Sequence, residues 1–264
     1  MGSPSDPSRG LLAVNDTTLG NELVPRHDGR SPEQPRPLGI HRGYIAHAEG
    51  SALIAQGRTR VICAASVSTA LPEFRRGTGG GWVTAEYGML PRATAVRMPR
   101  ASMPTNKRAV EISRFLGRCL RAVVDLYWLG PYMIHIDCDV VDADGGTRCA
   151  ALTGAFVALR DAIQALKTRE NRPGWPIREP VAGISVALLG SRLLVDPDYE
   201  EDHQASIDLT MAVTESGRLV EIHAASEADP YSRETLNLMV DAGVVGAQSA
   251  FLAQRECWER ALLP

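Results

Sequence analysis

Aromatic residues are scarce, at 5% of the 264 residues. A core must therefore be built mainly from valine, leucine, isoleucine and alanine. Cysteines number five, an odd count, and none stands in a C-x-x-C pair. That argues against a disulfide framework and against a thiolate zinc site. Cys63, Cys119, Cys138 and Cys149 sit inside apolar runs and read as small core residues. The six histidines show no metal-ligand spacing. The chain also lacks a basic balance, with a net charge of −3. This excludes a globally basic nucleic-acid binder but leaves room for a local basic groove. The opening Met1-Gly-Ser-Pro-Ser-Asp-Pro-Ser8 has no apolar stretch of signal-peptide type. By inspection no apolar run is long enough to span a membrane. The expectation is a cytoplasmic protein with no membrane partner.

A hydrophobic content of 44% is enough for a substantial core. Residues 1–36 are rich in proline, serine, aspartate, glycine and arginine, and read as a mobile tail ahead of one domain over 37–264. Strands are expected over Gly50–Gly57, Thr59–Val67 and Trp82–Tyr87, followed by a long loop over Arg92–Arg108. From Val110 the apolar residues Ile112, Phe115, Leu116, Cys119, Leu120, Val123 and Val124 recur at helical spacing until Gly130-Pro131. A strand beginning at Met133 breaks at Gly145-Gly146 and leads into a small, apolar and hence buried helix over Cys149–Leu166. Further strands are expected over Val181–Leu189, Arg192–Asp196, Ile207–Thr214 and Arg218–His223, with a long final helix capped by Ser232. Strand runs interleaved with helices in this order predict a mixed α/β or α+β domain.

Three charged constellations carry chemistry. The first is Asp144-Gly-Gly-Thr-Arg148. Glycines between a strand and a helix let backbone amides approach a ligand, and the helix N-terminus favours an anion. Arg148 adds a planar cationic fork there, in conflict with the helix dipole unless an anion binds. The other reading is a tight turn, with Arg148 in an ion pair to Asp142 or Asp144. The second constellation lies between Glu86 and Glu111. Arg92, Arg97, Arg100, Lys107 and Arg108 stand there with no intervening carboxylate. Such a cluster is either a solvated loop or a footprint for a phosphate backbone. The third is Asp196-Pro-Asp-Tyr-Glu-Glu-Asp202, with five acids in seven residues. These repel one another unless solvated or bound to a cation, and carboxylate oxygens at a strand end suit Mg²⁺. A phosphate cradle, a basic path and paired acids together fit phosphoryl or nucleotidyl transfer on a nucleic acid.

Four segments, in order, resemble the RNase PH family: His47-Ala-Glu-Gly-Ser51, Gly81-Trp-Val-Thr-Ala-Glu-Tyr-Gly-Met-Leu-Pro-Arg92, Asp137-Cys-Asp-Val-Val-Asp-Ala-Asp-Gly-Gly-Thr-Arg148 and Asp196 to Asp202. The resemblance runs from about Pro37 to about Glu256. It implies the RNase PH fold, related to the second domain of ribosomal protein S5, and a homohexameric ring built as a trimer of dimers. It implies a phosphorolytic 3′-exoribonuclease, a tRNA nucleotidyltransferase acting on tRNA precursors with inorganic phosphate as co-substrate. By position, Arg108, Gly146, Thr147 and Arg148 match the family's phosphate-binding residues. Asp196 and Asp202 match its catalytic, Mg²⁺-associated carboxylates, and Arg92, Arg97 and Arg100 match arginines that serve RNA binding and ring contacts. The chain departs from the family at Thr105-Asn-Lys-Arg108, where a Gly-Gly pair is usual, and at Asp208-Leu-Thr210 and His223-Ala-Ala-Ser-Glu-Ala228. The last two departures lie away from the residues given chemical roles here. The alternative function is a non-catalytic RNA-binding subunit of an exosome-like ring.

Overall fold

The computed structural model describes residues 26–99, 107–227 and 229–260. Two sheets enclose one central helix. The first sheet contains β1 (Leu38–Arg42), β2 (Gly50–Gln56), β3 (Thr59–Ser68), β4 (Trp82–Met89) and β5 (Met133–Asp142), in the spatial order β1-β2-β3-β5-β4. All neighbours are antiparallel except β4 and β5. Helix α1 (Lys107–Ala122) and the short α2 (Leu126–Leu129) form the crossover between that parallel pair. Helix α3 (Thr147–Arg169) follows β5. The second sheet is antiparallel throughout, in the order β7-β6-β8-β9, with β6 (Val181–Leu189), β7 (Arg192–Val195), β8 (Ile207–Thr214) and β9 (Leu219–Ser226). Helix α4 (Tyr199–His203) joins β7 to β8, and α5 (Arg233–Gly246) and α6 (Gln248–Glu259) close the chain.

Burial follows sequence pattern. On α1 the stripe Ile112, Phe115, Leu116, Cys119 and Leu120 is buried, one face of a 3.6-residue period. Strands β3 and β5 alternate, and the partners Cys63↔Cys138 and Ala65↔Ile136 all face the core. Strand β6 is buried from Val181 to Ala187 without alternation, because α3 covers one face and α5 and α6 the other. Helix α3 lies between the sheets and is buried nearly all round. Its small residues permit this. A Cβ on Gly50 would meet the Ala158 carbonyl at 2.0 Å, and one on Gly183 would meet Cys149 Cα at 2.6 Å. The sheets therefore close on α3 at glycine contacts. All five cysteines are free and buried: Cys63, Cys119, Cys138 and Cys149 as their apolar runs indicate, and Cys257 although charged residues flank it.

Several expectations differ. Leu38–Arg42 forms an edge strand, too short to announce itself by pattern. The final helix is two helices meeting at Ala247, although Ser232 does cap the first by accepting from the Thr235 amide. Two helical stretches, Thr147–Arg169 and Arg233–Glu259, are long and apolar enough to cross a membrane by length and composition, where the sequence suggests none. The first is the core helix, with 78% of its apolar window buried inside the protein. Most consequential is the segment expected to close a mobile tail. Residues 26–36 pack into the domain, with Arg26, Arg30 and Arg36 all buried. Residues 1–25 lie outside the described residues.

The Gly50 contact with α3 yields a stability prediction. Gly50→Ala should destabilise the protein by about 1–3 kcal/mol, because backbone atoms of α3 cannot yield as a flexible side chain could. Urea denaturation followed by circular dichroism measures the loss.

Candidate active site

The turn from β5 into α3 is held from below. Gly145 and Gly146 both adopt left-handed backbone (φ 73° and 64°), which glycine enters without Cβ strain. A Cβ on Gly145 would also meet the Asp198 carbonyl carbon at 2.7 Å. Thr59 Oγ1 donates to the Gly145 carbonyl (2.7 Å) and accepts from the Asp144 amide (2.9 Å). Arg58 makes a bidentate pair with Asp144 (3.0 and 3.1 Å). Gly146 is the N-cap of α3 and supplies no side-chain cap. The first amides of a 23-residue helix are thereby left for a ligand.

Two cationic forks converge on that helix start. Arg148 does not pair with Asp142 or Asp144, which take Arg60 and Arg58 instead. It reaches across to Glu111 on α1 (3.3 Å), with its guanidinium 5.9 Å above the Phe115 ring. Arg108 opens the same helix and is exposed. Both arginines act electrostatically on Asp202 and Asp208, so the four groups form one cluster. Thr147 is buried, and its hydroxyl bonds the Tyr87 hydroxyl at 2.8 Å.

The acidic segment divides into two roles. Asp198 caps α4, accepting from the Glu200 and Glu201 amides, while Glu201 accepts in return from the Asp198 amide. This is a capping box. Glu201 accepts from Arg26 through both oxygens, and Arg30 stands 3.6 Å away. Burial pushes the Glu201 carboxyl up, but the Arg26 bonds outweigh it and hold it below its ordinary value. The cations that offset the repulsion among these acids are thus protein arginines from residues 26–36. Only Glu200 and Asp202 of the five acids are exposed.

Asp196 is the main correction. Expected as a metal-binding catalytic carboxylate, it is fully buried. Its oxygens accept from Arg36: Oδ1 from the guanidinium (2.6 Å), Oδ2 from Nε (2.9 Å) and from the Arg36 amide (2.8 Å). Arg36 also donates to the carbonyls of Asp144 and Gly145. Asp196 therefore positions the turn, buried and with both oxygens engaged by Arg36. The residue that faces Asp202 is Asp208 on β8. Burial first, and the neighbouring Asp202 charge second, push its carboxyl up to about 6. Asp202 is raised by the crowding of protein around it, with Arg108, Arg36 and Arg148 opposing. An acid whose ionisation is made costlier by a neighbouring carboxylate suits, with that neighbour, a divalent cation bound through oxygen. Asp208 stands within one of the departures set aside as remote from the chemistry. Alternation along β8 was the available signal: Ile207 and Leu209 face the core, and Asp208 the opposite side.

The basic loop is less gathered. Arg92 and Arg97 are exposed, and Arg92 lines a cavity of about 350 Å³ beside Arg58 and Asp144. Arg100 lies outside the described residues.

Comparisons with known proteins place this arrangement. Residues 34–163 match the 3′ exoribonuclease family, domain 1, and residues 179–246 match its domain 2. The chain belongs to the 3′ exoribonuclease family. Its relatives there include Ribonuclease PH of Corynebacterium glutamicum, 48% identical over 232 residues, which is 87% of this chain and 95% of the relative. Ribonuclease PH of Corynebacterium efficiens is 49% identical with the same coverage. The fold is shared with rice Rrp46 (TM-score 0.71, 19% identity, 87% of this chain and 98% of that one). It is also shared with an Archaeoglobus fulgidus exosome chain, solved with RNA at the active site (TM-score 0.73, 21% identity, 88% and 92%).

Two outcomes follow from the charges. Removing the Arg36 side chain strands a buried carboxylate, so Arg36→Ala should cost about 3–5 kcal/mol in urea unfolding. Asp208 gives a pH signature. Its folded-state pKa lies above the ordinary 3.8, so the folded state holds that proton more tightly. The resulting penalty is absent below the ordinary 3.8, grows as the pH rises from there to about 6, and is constant above that. Asp208→Asn should accordingly raise the melting temperature of the metal-free protein at pH 8 and leave it nearly unchanged only below the ordinary carboxylate value, near pH 3.

Proposed function

We propose that this chain is a phosphate-dependent 3′-to-5′ exoribonuclease that removes terminal nucleotides from tRNA precursors as nucleoside 5′-diphosphates. One observation carries the reading. An uncapped helix start, Thr147 and the Arg148 fork stand with Arg108 beside the Asp202–Asp208 pair. Inorganic phosphate is held by the Gly146-Thr147-Arg148 turn and by Arg108, where each charge-assisted bond contributes roughly 1.5–3 kcal/mol. So held, it is aimed at the last phosphodiester of the RNA. Asp202, its carboxyl raised by its surroundings, stands to supply the proton taken by the departing 3′ oxygen, directly when it is itself protonated or through a water it orients when its oxygens are engaged as a carboxylate. Asp202 and Asp208 would hold Mg²⁺, whose charge would offset that developing on the phosphoryl oxygens. Asp196 acts only through the turn it supports.

Arg92 and Arg97, exposed on their loop, are available to the RNA backbone, and Arg100 is assigned the same role. We extend the reading to a homohexameric ring, a trimer of dimers, in keeping with the family resemblance. A non-catalytic RNA-binding subunit fits less well, since neither the phosphate-binding arginines nor the paired acids are missing.

Incubation with a 3′-extended RNA should release nucleoside diphosphates only when phosphate is present. Monophosphates released without phosphate would contradict the reading. Arg148→Ala should lower turnover by about 10²–10³-fold, the usual cost of losing a charge-stabilising donor, with an unchanged melting curve.

A further inference from the structure

Tyr87 lies on β4, outside the cluster of charged groups, yet it touches that cluster at one atom. Its hydroxyl is 2.8 Å from Thr147 Oγ1 and is almost wholly buried. Its backbone amide donates to Ser113 Oγ (3.0 Å), and Ser113 in turn donates to the Ala109 carbonyl (2.8 Å) on α1. Tyr87 is thereby fixed to the helix that carries Arg108 and to the residue that opens α3.

The direction of the shared bond follows from the partners present. Among the described residues the Tyr87 hydroxyl has no acceptor other than Thr147 Oγ1. A buried hydroxyl that does not donate loses a hydrogen bond it could make in water. Burial also raises the phenol, against the pull of Arg108 and Arg148, so it stays protonated. The phenol therefore donates and Thr147 accepts. A threonine hydroxyl has one proton of its own. With a lone pair taken from the Tyr87 side, that proton is turned away, toward the helix start.

We propose that Tyr87 is a positioning residue that orients the Thr147 hydroxyl to donate to bound phosphate. This rests on the reading of Thr147 as part of the phosphate site. A Tyr87→Phe variant keeps the ring and removes only the donor. It should raise the KM for inorganic phosphate about three- to tenfold, the effect of one misdirected hydrogen bond. The kcat and the KM for RNA should stay near wild type. In a Thr147→Val background the same change should add little, because the hydroxyl through which Tyr87 acts is gone. In a Thr147→Ser background, which keeps the hydroxyl, the sensitivity should persist.

An unchanged phosphate KM in Tyr87→Phe overturns the inference, as does full additivity with Thr147→Val. A joint fall in kcat and rise in both KM values, with a lowered melting temperature, marks a structural role and also overturns it. In each of these cases wild-type turnover still depends on phosphate, so the proposed function stands. Wild-type turnover without phosphate dependence removes both.

Discussion

Asp196 is fully buried with a left-handed backbone (φ 51°), and Arg36 makes that conformation tenable. An aspartate tolerates positive φ better than most residues, but the burial of its charge is costly unless every oxygen is matched. Arg36 matches both oxygens, and its remaining donors go to the carbonyls of Asp144 and Gly145. One guanidinium thus ties the N-terminal segment, the end of β7 and the glycine turn together. Arg26 and Arg30 extend the clamp, donating to the Asp196 carbonyl and bracing Glu201. With these structural charges satisfied internally, Arg108, Arg148, Asp202 and Asp208 are left to act on one another at the start of α3, with Glu111 beside Arg148.

The same division explains how strong charges of both signs coexist in a small volume. Buried Asp196 and Glu201 are matched by buried arginines in fixed geometry. Asp202 and Asp208 are not, and their carboxyls are raised. Helix α3 supports both sets, because its N-terminus faces the site while its body is wedged between the sheets. Glycines at 50, 154 and 183 let the sheets approach it. A helix so enclosed has little freedom to shift, so its first turn is a rigid base for an anion.

Much of this was legible in the residue order. The strand–Gly-Gly–helix sequence, the apolar stripe of α1 and the small residues of α3 each point to one local structure, and the structure has them. The assignment of acids was not legible to the same degree. Asp196 and Asp208 both sit at ends of apolar strands, and only tertiary contacts tell which is clamped and which is free. A sharper reading of Asp198-Tyr-Glu-Glu201 as a capping box would have turned the acidic loop into a helix and withdrawn two acids from solvent. The arginines at 26, 30 and 36 were lost to composition. Proline and serine around them suggested a tail, but the partners that tie them to the domain, Asp196 and Glu201, lie more than 100 residues away, beyond the reach of any local pattern.

The account stands or falls on whether the turn from β5 to α3 binds phosphate. A crystal structure of the protein soaked in tungstate, a heavy analogue of that anion, tests this most directly. The account places anomalous density at the start of α3, within hydrogen-bond distance of the Thr147 hydroxyl and the Arg148 guanidinium. A turn free of density, with tungstate bound elsewhere, would contradict it.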